Sequence, residues 1–331
     1  IGGVSVAGNK CMVSVLCTAY NHEEYIAQTL QCIVDQQTDF AFELLVNDDA
    51  STDGTAAIIR KFEEKYPHII RAFYQKDNLY SQHKNAYEAV LFAESRGKYI
   101  AFCEGDDYWS DMTKLQRQVD FMEDHPEYSG CVHDTMRHYC LGNSPDKRLI
   151  GRDDDFDPDI DKIARGTSYS WHTSSILAKA WLFSDLPEYF HIGWDHAFLD
   201  HPIGLWMMFN GPVHYIGRCM SVYRLDSSPS AWSTGVDGQY EKLRKYTDGE
   251  CRVLESALKT APEGFRSSIE YWLREREFEL MYIEGRDREQ RRPPYDTILR
   301  RQPLSYRVNN FLKSFFPGLH KLYRHMRGYR S

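Results

Sequence analysis

The segment from Lys98 to Trp109, KYIAFCEGDDYW, constrains the fold of this chain more than any other stretch. Its first half is a short apolar run of aromatic and branched residues, which predicts a buried strand. The run then ends abruptly in acidic residues, of which Asp106 and Asp107 are adjacent. Carboxylates at a strand end suit a hard divalent cation that carries a phosphate. The alternative is an ordinary turn with solvated carboxylates. A second acidic strand end upstream, at Asp48 and Asp49, favours the binding site over this alternative.

Strands and helices alternate along the first 135 residues. Predicted strands cover residues 12–17, 42–46, 69–75, 98–103 and 128–133. The helix after the first strand has an apolar stripe that begins at Ile26, and Asn21 with Glu24 resembles a capping box before it. Further helices are predicted after residue 55 and over 85–94 and 114–124. Such alternation predicts an α/β fold with a parallel sheet covered on both faces.

Polar residues stand at the carboxyl ends of three of these strands. Ligands bind outside that edge of a parallel sheet, so we expect one crevice to collect Thr18, Tyr20, Asp48, Asp49, Asp106 and Asp107. A dinucleotide-binding domain would need a glycine-rich turn after the first strand. This chain has Thr-Ala-Tyr-Asn-His there and no glycine, which argues against that class.

Composition sets limits on size and location. The chain has 331 residues, 42% hydrophobic and 27% charged, which permits one large or two modest domains. Its eight cysteines form no CxxC pair, so we expect reduced, buried thiols and a cytoplasmic protein. No apolar run reaches the roughly 18 residues of a transmembrane helix. No signal peptide is predicted before residue 11, and residues 1–9 look like a loose leader.

Charge is distributed unevenly. The net charge is −8, yet the chain has no acidic residue after Asp296 and carries eight bases beyond it. In residues 304–324 these bases alternate with Phe, Leu and Tyr, a pattern typical of segments that bind an anionic membrane surface. The alternatives are a helix packed on the body of the protein and a contact with the acidic part of another subunit. Nucleic acid is not an expected partner, because the rest of the chain is acidic.

Four segments resemble inverting glycosyltransferase family 2, which has the GT-A fold. They are VSVLCTAYNHEEYIAQTLQCIVDQ, FELLVNDDASTDGT, DNLYSQHKNAY and KYIAFCEGDDYW, and they cover about residues 11–110. The chain departs from the family pattern at Ala50, which replaces a glycine, at Asn47 before the acid pair, and at His83–Asn85. The resemblance implies a mostly parallel sheet flanked by helices, with a C-terminal helical extension. It places a catalytic domain at 11–235, divided at residue 135 into nucleotide-sugar and acceptor halves, and the extension at 236–331.

The resemblance also implies roles for individual residues. Thr18 and Tyr20 would contact the nucleotide base, and Asp49 would accept a hydrogen bond from it. Asp48 would hold its loop, for example by capping the helix after Ser51, and Asp106 would reach the ribose or the metal shell. The nucleotide site would further include Asn21 and Lys84. Asp107 would bind Mn²⁺ or Mg²⁺ that bridges the donor diphosphate.

The resemblance also implies acceptor-side roles, most of them in the C-terminal half. The acid-rich residues 141–166 are expected to be solvated loops. His172, Arg224 and Trp109 are candidates for acceptor or diphosphate contacts, although a structural role explains the histidine and the arginine equally well. Asp200, before an apolar helix, is the expected general base, with Asp195 as competitor. Asp226 stands where relatives have a metal-site histidine, so it is a candidate ligand.

These observations predict an inverting, metal-dependent glycosyltransferase at the inner face of the cell membrane. The donor would be a nucleoside-diphosphate sugar, with UDP favoured, and the acceptor a glycan or a polyprenyl-linked glycan in polysaccharide biosynthesis. One alternative is an inactive nucleotide-sugar-binding module docked at the membrane. A nucleotidyltransferase is disfavoured, because the chain lacks a glycine-rich phosphate loop after the first strand.

Overall fold

A computed structural model describes residues 11–140, 144–164, 171–195, 199–225 and 236–316, apart from the side chains of 194–195 and 236–240. Asp226 and much of the basic tail lie outside these ranges, as does the side chain of Asp195. The contacts divide the chain into two compact units, Ile1–Ser233 and Thr234–Ser331.

The first unit is built on one mixed sheet. Its nine strands are β1 (Val13–Ala19), β2 (Phe42–Asp48), β3 (Ile70–Tyr74), β4 (Tyr99–Phe102), β5 (Tyr108–Trp109), β6 (Gly130–Tyr139), β7 (Lys147–Arg148), β8 (Leu177–Lys179) and β9 (Val213–Leu225). Their order is β3-β2-β1-β4-β8-β6-β9-β5, and β7 pairs with β6. Strands β3, β2, β1 and β4 are parallel, as are β6 and β9, and the other pairings are antiparallel. The predicted α/β class is thus confirmed.

Strands β1, β2 and β4 lie in the centre of the parallel half and are buried on both faces. That burial explains why they read as continuous apolar runs and not as alternating ones. Strand β6 extends six residues beyond the predicted 128–133, because it pairs along its whole length with the long strand β9.

Helices flank the sheet of the first unit. They are α1 (Ile26–Val34), α2 (Thr55–Lys65), α3 (Phe92–Glu94), α4 (Lys114–Asp124), α5 (Ile160–Ala164), α6 (Glu188–Asp195) and α7 (Asp200–Asn210). The stripe on α1 packs into the core through Ile26, Leu30 and Ile33, as predicted. The single helix predicted over 85–94 is instead a π-helical turn, Tyr87–Leu91, that leads into α3.

The predicted capping box of Asn21 and Glu24 is wrong. Helix α1 begins at Ile26, and its first turn has no side-chain cap. Asn21 has a left-handed backbone, with φ of 54°, and its side-chain oxygen accepts a hydrogen bond from the Thr52 N–H at 2.8 Å. The side chain therefore joins two loops and does not cap a helix.

The second unit is helical. It consists of α8 (Val236–Thr260), α9 (Glu263–Ile283), α10 (Asp296–Arg301) and α11 (Leu304–Phe315). Phe278 of α9 packs with Ile298 and Leu299 of α10, and Tyr295 and Tyr306 cover this small core. Among the described residues, no helix combines the length and the apolar character needed to cross a membrane.

Candidate active site

The loops that follow β1 and β2 are joined by hydrogen bonds at the carboxyl edge of the sheet. The Asn21 N–H donates to the Ser51 hydroxyl at 3.0 Å, and Thr52 donates back to Asn21. One carboxylate oxygen of Glu23 accepts from the Gly54 N–H at 2.6 Å. These short-chain polar residues build a rigid rim, so Asn21 has a structural role here whether or not it also contacts a nucleotide.

Asp49 holds the loop of residues 78–84 against the end of β2. Its carboxylate is buried and accepts the backbone N–H of Leu79 at 2.6 Å and of Tyr80 at 3.1 Å. A carboxylate has about four lone-pair positions, so Asp49 keeps capacity for a further donor. Lys84, in the same loop, is exposed to solvent.

Asp48, the preceding residue, is buried in a different environment. Burial raises the pKa of its carboxyl group, and hydrogen bonds from Ser51 oppose that shift. Asp48 is thus bonded within its own loop, but helix α2 begins at Thr55 without a side-chain cap, so the predicted capping role is wrong.

Thr18 and Tyr20 are placed differently from each other at the end of β1. The ring of Tyr20 is 46% exposed, so it is available to a ligand. Thr18 is bonded inward, with its hydroxyl 3.4 Å from the hydroxyl of Tyr87, which in turn donates to Glu104 at 3.4 Å. The chain of hydroxyl groups leads from the end of β1 to the acidic turn after β4.

Glu104, Asp107 and His172 form the only cluster of potential metal ligands found in the described part of the chain. Their ligand atoms all lie within 4.8 Å of one another, and His172 Nδ1 is 3.5 Å from an Asp107 carboxylate oxygen. One carboxylate oxygen of Glu104 is buried without a hydrogen-bond partner. A buried carboxylate, a neighbouring half-buried carboxylate and an imidazole fit Mn²⁺ or Mg²⁺.

The electrostatics of the cluster point the same way. Burial, followed by the charge of Asp106, raises the pKa of Glu104 to about 7, and burial together with Asp106 and Glu104 raises the pKa of Asp107 well above its ordinary range. Burial also lowers the pKa of His172 to about 4, which keeps the imidazole neutral. A bound cation would relieve the cost of the two buried negative charges.

Arg224 and Thr29 position Asp107. The Arg224 backbone N–H donates to the Asp107 carboxylate at 3.0 Å, and its guanidinium group lies over the rings of Tyr25 and Tyr108. The Thr29 hydroxyl is 2.6 Å from the carbonyl oxygen of Asp107. Arg224 is buried and also donates to the Asp106 carbonyl oxygen and to Gln28, so the structure gives it a supporting role beside the predicted diphosphate contact.

Asp200 is the first residue of α7 and lies close to the cluster. Its charge contributes an upward shift to the pKa of both Glu104 and His172, although burial lowers the pKa of His172 overall. Asp106 lies at the same site, with a carboxylate oxygen 4.0 Å from His22 Nε2. The ring of His172 stacks on Tyr223, with centroids 4.2 Å apart, which fixes the orientation of the imidazole.

Trp109 is not brought to the surface of the site. Its side chain is 3% exposed, its indole N–H donates to the Ser174 carbonyl oxygen at 3.0 Å, and the Lys114 ammonium lies 4.0 Å from its ring centroid. It lies in the core behind the cluster, where it supports the segment that contains His172. The predicted ligand Asp226 is outside the described residues.

Glu104 is the site residue that sequence reasoning did not assign. The signal was limited to the position of Glu104 directly after an apolar strand, because an acidic residue there is usually paired or bound to a metal only if it becomes buried. Its proximity to His172, which is 68 positions later in the chain, could not be read from spacing.

The chain is similar to known glycosyltransferases. A family model described as Glycosyl transferase family 2 matches residues 14–180. An uncharacterized protein of Mycobacterium tuberculosis is 32% identical over 253 residues, which are 74% of this chain and 68% of that protein. The Escherichia coli protein named UDP-Glc:alpha-D-GlcNAc-diphosphoundecaprenol beta-1,3-glucosyltransferase WfaP is 35% identical over 112 residues, 34% of this chain and 41% of that one.

Two solved structures share the fold. S. aureus TarS 1–349 in complex with UDP-GlcNAc has a TM-score of 0.53 at 15% identity, covering 83% of this chain and 92% of that one. The mannosyltransferase PcManGT from Pyrobaculum calidifontis, in complex with GDP-Man and Mn²⁺, has a TM-score of 0.54 at 16% identity, covering 93% and 85%.

Proposed function

The chain belongs to glycosyl transferase family 2 and is a glycosyltransferase with the GT-A fold, and we propose that it is an inverting enzyme that uses a UDP-sugar and Mn²⁺ or Mg²⁺. The observation that carries this proposal is the buried cluster of Glu104, Asp107 and His172 at the end of β4, with the carboxylate of Asp200 beside it.

The donor nucleotide would occupy the crevice at the ends of β1, β2 and β4. The exposed ring of Tyr20 would stack on the base, and Asp49 would accept the base imide N–H with the lone pairs that its loop contacts leave. Thr18, Asn21 and Lys84 would complete the nucleotide contacts, and Asp106 would reach the ribose. The UDP-Glc in the name of WfaP and the UDP-GlcNAc bound to TarS support a UDP-linked donor. PcManGT binds GDP-Man instead, so the identity of the nucleotide base has to be measured.

The cation would be held by Glu104, Asp107 and His172, with Asp226 as a further candidate. When bound, it would neutralise negative charge on the departing nucleoside diphosphate. The protein contributes the fixed geometry, since Arg224 and Thr29 hold Asp107 and Tyr223 orients His172.

Asp200 would act as general base. Inversion requires the acceptor hydroxyl to attack the anomeric carbon on the face opposite the leaving group, and a carboxylate there takes its proton. The half-buried Asp200 is the first residue of α7 and lies beside the cluster. Asp195 remains the competitor for this role.

The acceptor would be a glycan or a polyprenyl-linked glycan in polysaccharide biosynthesis, at the inner face of the cell membrane. The name of WfaP, which specifies a diphosphoundecaprenol-linked acceptor, supports this class. The transferred group would be a hexosyl or N-acetylhexosaminyl unit.

Thermal unfolding with UDP, dTDP, GDP and CDP, each with and without Mn²⁺, tests the donor proposal. A ligand that binds only the folded state stabilises it by RT ln(1 + L/Kd), where L is the free ligand concentration. We expect the largest rise with UDP and only in the presence of metal. A larger rise with GDP would refute the UDP assignment, and no rise with any nucleotide would favour a non-catalytic module.

Two isosteric variants separate metal binding from proton transfer. Asp107→Asn should abolish both the metal-dependent rise with UDP and sugar transfer. Asp200→Asn should keep the rise with UDP and reduce transfer by a factor of about 100 or more. If Asp200→Asn transfers sugar at the normal rate, the base is elsewhere, and Asp195→Asn is the next variant to measure.

A further inference from the structure

Helix α11 exposes a stripe of apolar residues and buries two polar ones, while its Tyr306 packs against the core of the second unit. The residues that it buries are Asn310 and Ser314, and Asn310 bonds to Asp287 and Gln290. Its apolar residues at i, i+4, i+7 and i+11 are exposed, and they are Leu304, Val308, Phe311 and Phe315. Leu304 is 67% exposed. Amphipathic helices of globular domains normally bury such a stripe, so this face is built for another contact.

Arginines surround this stripe. A groove with a volume of about 440 Å³ runs between α10 and α11, and its floor includes Leu299 and Leu312. Arg291, Arg300 and Arg307 line it. The groove also contains one carboxylate, Asp296, which pairs with Arg300.

Arg291 is held in place with unused hydrogen-bonding capacity. Its guanidinium group lies 5.1 Å from the ring centroid of Phe311 and 5.6 Å from that of Phe315. Its Nε is buried and has no hydrogen-bond partner among the described residues. The buried Nε is not accessible to a ligand, but a stacked guanidinium group that lines a groove can bind a phosphate oxygen through its terminal N–H groups.

We propose that this groove and stripe form a docking surface for an anionic phospholipid bilayer, with a lipid phosphate between the arginines and the Leu and Phe side chains inserted among the acyl chains. The sequence prediction placed membrane binding in the tail as a whole, whereas the structure points to one helix face and a defined phosphate site.

The charge of the surrounding chain decides between the possible occupants. Residues 297–331 contain eight bases and no acid. This excess of basic residues complements an anionic partner. A free phosphate would satisfy the arginines but would leave the apolar stripe in water, whereas a bilayer satisfies both.

Flotation of the full-length chain with vesicles tests this surface. Mixed phosphatidylglycerol and phosphatidylcholine vesicles should carry the protein, and pure phosphatidylcholine vesicles should not. Each basic residue near an anionic surface contributes about a fivefold change in affinity, so Arg300→Glu should weaken binding about 25-fold. Leu304→Asn should weaken it about tenfold.

Matched variants on α8 serve as controls. Arg252 is exposed and pairs with Asp248 four residues away, as Arg300 pairs with Asp296, so Arg252→Glu makes the same charge change. Leu243 is also exposed, so Leu243→Asn matches Leu304→Asn. We expect both controls to bind vesicles within about threefold of the unchanged protein.

Equal losses in the α8 and α11 variants would overturn the proposal, because they would indicate nonspecific attraction. Unchanged binding by both α11 variants would overturn it as well. Inorganic phosphate can be compared with chloride of equal ionic strength as a competitor for the vesicles. If phosphate alone releases the protein, and if Leu304→Asn binds the vesicles as well as the unchanged protein does, the groove is a site for a free anion and not for a bilayer. The rise in unfolding temperature with UDP and Mn²⁺ should be the same in all variants, so failure here is distinguishable from failure of the proposed transfer reaction.

Discussion

Replacing Glu104 by glutamine should change protein stability in opposite directions with and without metal. Without metal, the buried carboxylates of Glu104 and Asp107 lie within 4.8 Å of each other. Two unit charges at that distance repel by about 3.5 kcal/mol at an effective dielectric constant of about 20. The amide has the same shape and no charge, so the variant escapes this cost.

The effect depends on pH in a defined direction. Because burial raises the pKa of Glu104 from 4.5 to about 7 in the folded protein, the wild type loses stability as the pH rises from 4.5 to about 7, and the loss is complete above that value. In the presence of a chelator at pH 8, we expect Glu104→Gln to be more stable than wild type by about 1–3 kcal/mol. The upper end of this range is the free energy that corresponds to the full shift of the Glu104 pKa.

Metal should reverse the comparison. A cation at 100 times its Kd stabilises the folded protein by about 2.7 kcal/mol. The variant lacks one anionic ligand, so it should gain much less from Mn²⁺. Urea unfolding at pH 8, with chelator and with Mn²⁺, measures both free energies.

Glu43 supplies the matched control, because it is a buried glutamate that is already paired. It accepts from the Ser14 hydroxyl at 2.7 Å and lies 3.6 Å from Arg71. Glu43→Gln should destabilise the protein by about 1–3 kcal/mol under both conditions and leave the response to Mn²⁺ intact. A Glu104→Gln variant that is destabilised in chelator and keeps the full response to Mn²⁺ would refute the assignment of Glu104 as a ligand.

Further predictions concern the support of the site. Burial lowers the pKa of Lys114 from 10.5 to about 7, so between those values the unfolded chain holds one more proton and stability should rise by about 1.4 kcal/mol per pH unit. Urea titrations at several pH values measure this slope, and Lys114→Met should abolish it. An unchanged slope in the variant would contradict the assignment to Lys114. Ala50 has a left-handed backbone with φ of 61°, which is strained for a residue with a Cβ atom. Ala50→Gly should therefore raise the free energy of unfolding by about 0.5–1 kcal/mol after the entropic cost of glycine is subtracted. A lower free energy of unfolding would show that the backbone strain at Ala50 is compensated. Arg224→Lys keeps the charge but loses the stacking and the several hydrogen bonds of the guanidinium group, so it should lower the free energy of unfolding by about 1–2 kcal/mol in the same assay. No change would mean that Arg224 does not support the site.

Local pattern was sufficient for the parallel half of the fold. The apolar runs at β1, β2 and β4 predicted buried strands, and the stripe on α1 predicted the face that packs against them. The resemblance to family 2 glycosyltransferases rests on these same segments, and the family match confirms it. The reason is that burial of a central parallel strand imposes its apolar run directly on the sequence.

Predictions failed where a local rule competed with a long-range contact. Asn21 has the spacing of a helix cap, yet its side chain bonds to Thr52, 31 positions away. Trp109 follows the acidic turn, yet it packs inward because its indole N–H finds the Ser174 carbonyl oxygen. Such partners depend on the path of the chain and not on its local composition.

The sequence by itself determined the strand ends that carry Asp49, Asp106 and Asp107, because strand ends follow from hydrophobic runs. Only the tertiary structure decided that His172 and Glu104 lie beside Asp107 and that α11 exposes its apolar face. The contact of His172 with Asp107 joins segments far apart in the chain, and the outward face of α11 depends on how that helix packs against its neighbours. The same residue patterns permit several arrangements, and the packing contacts select one.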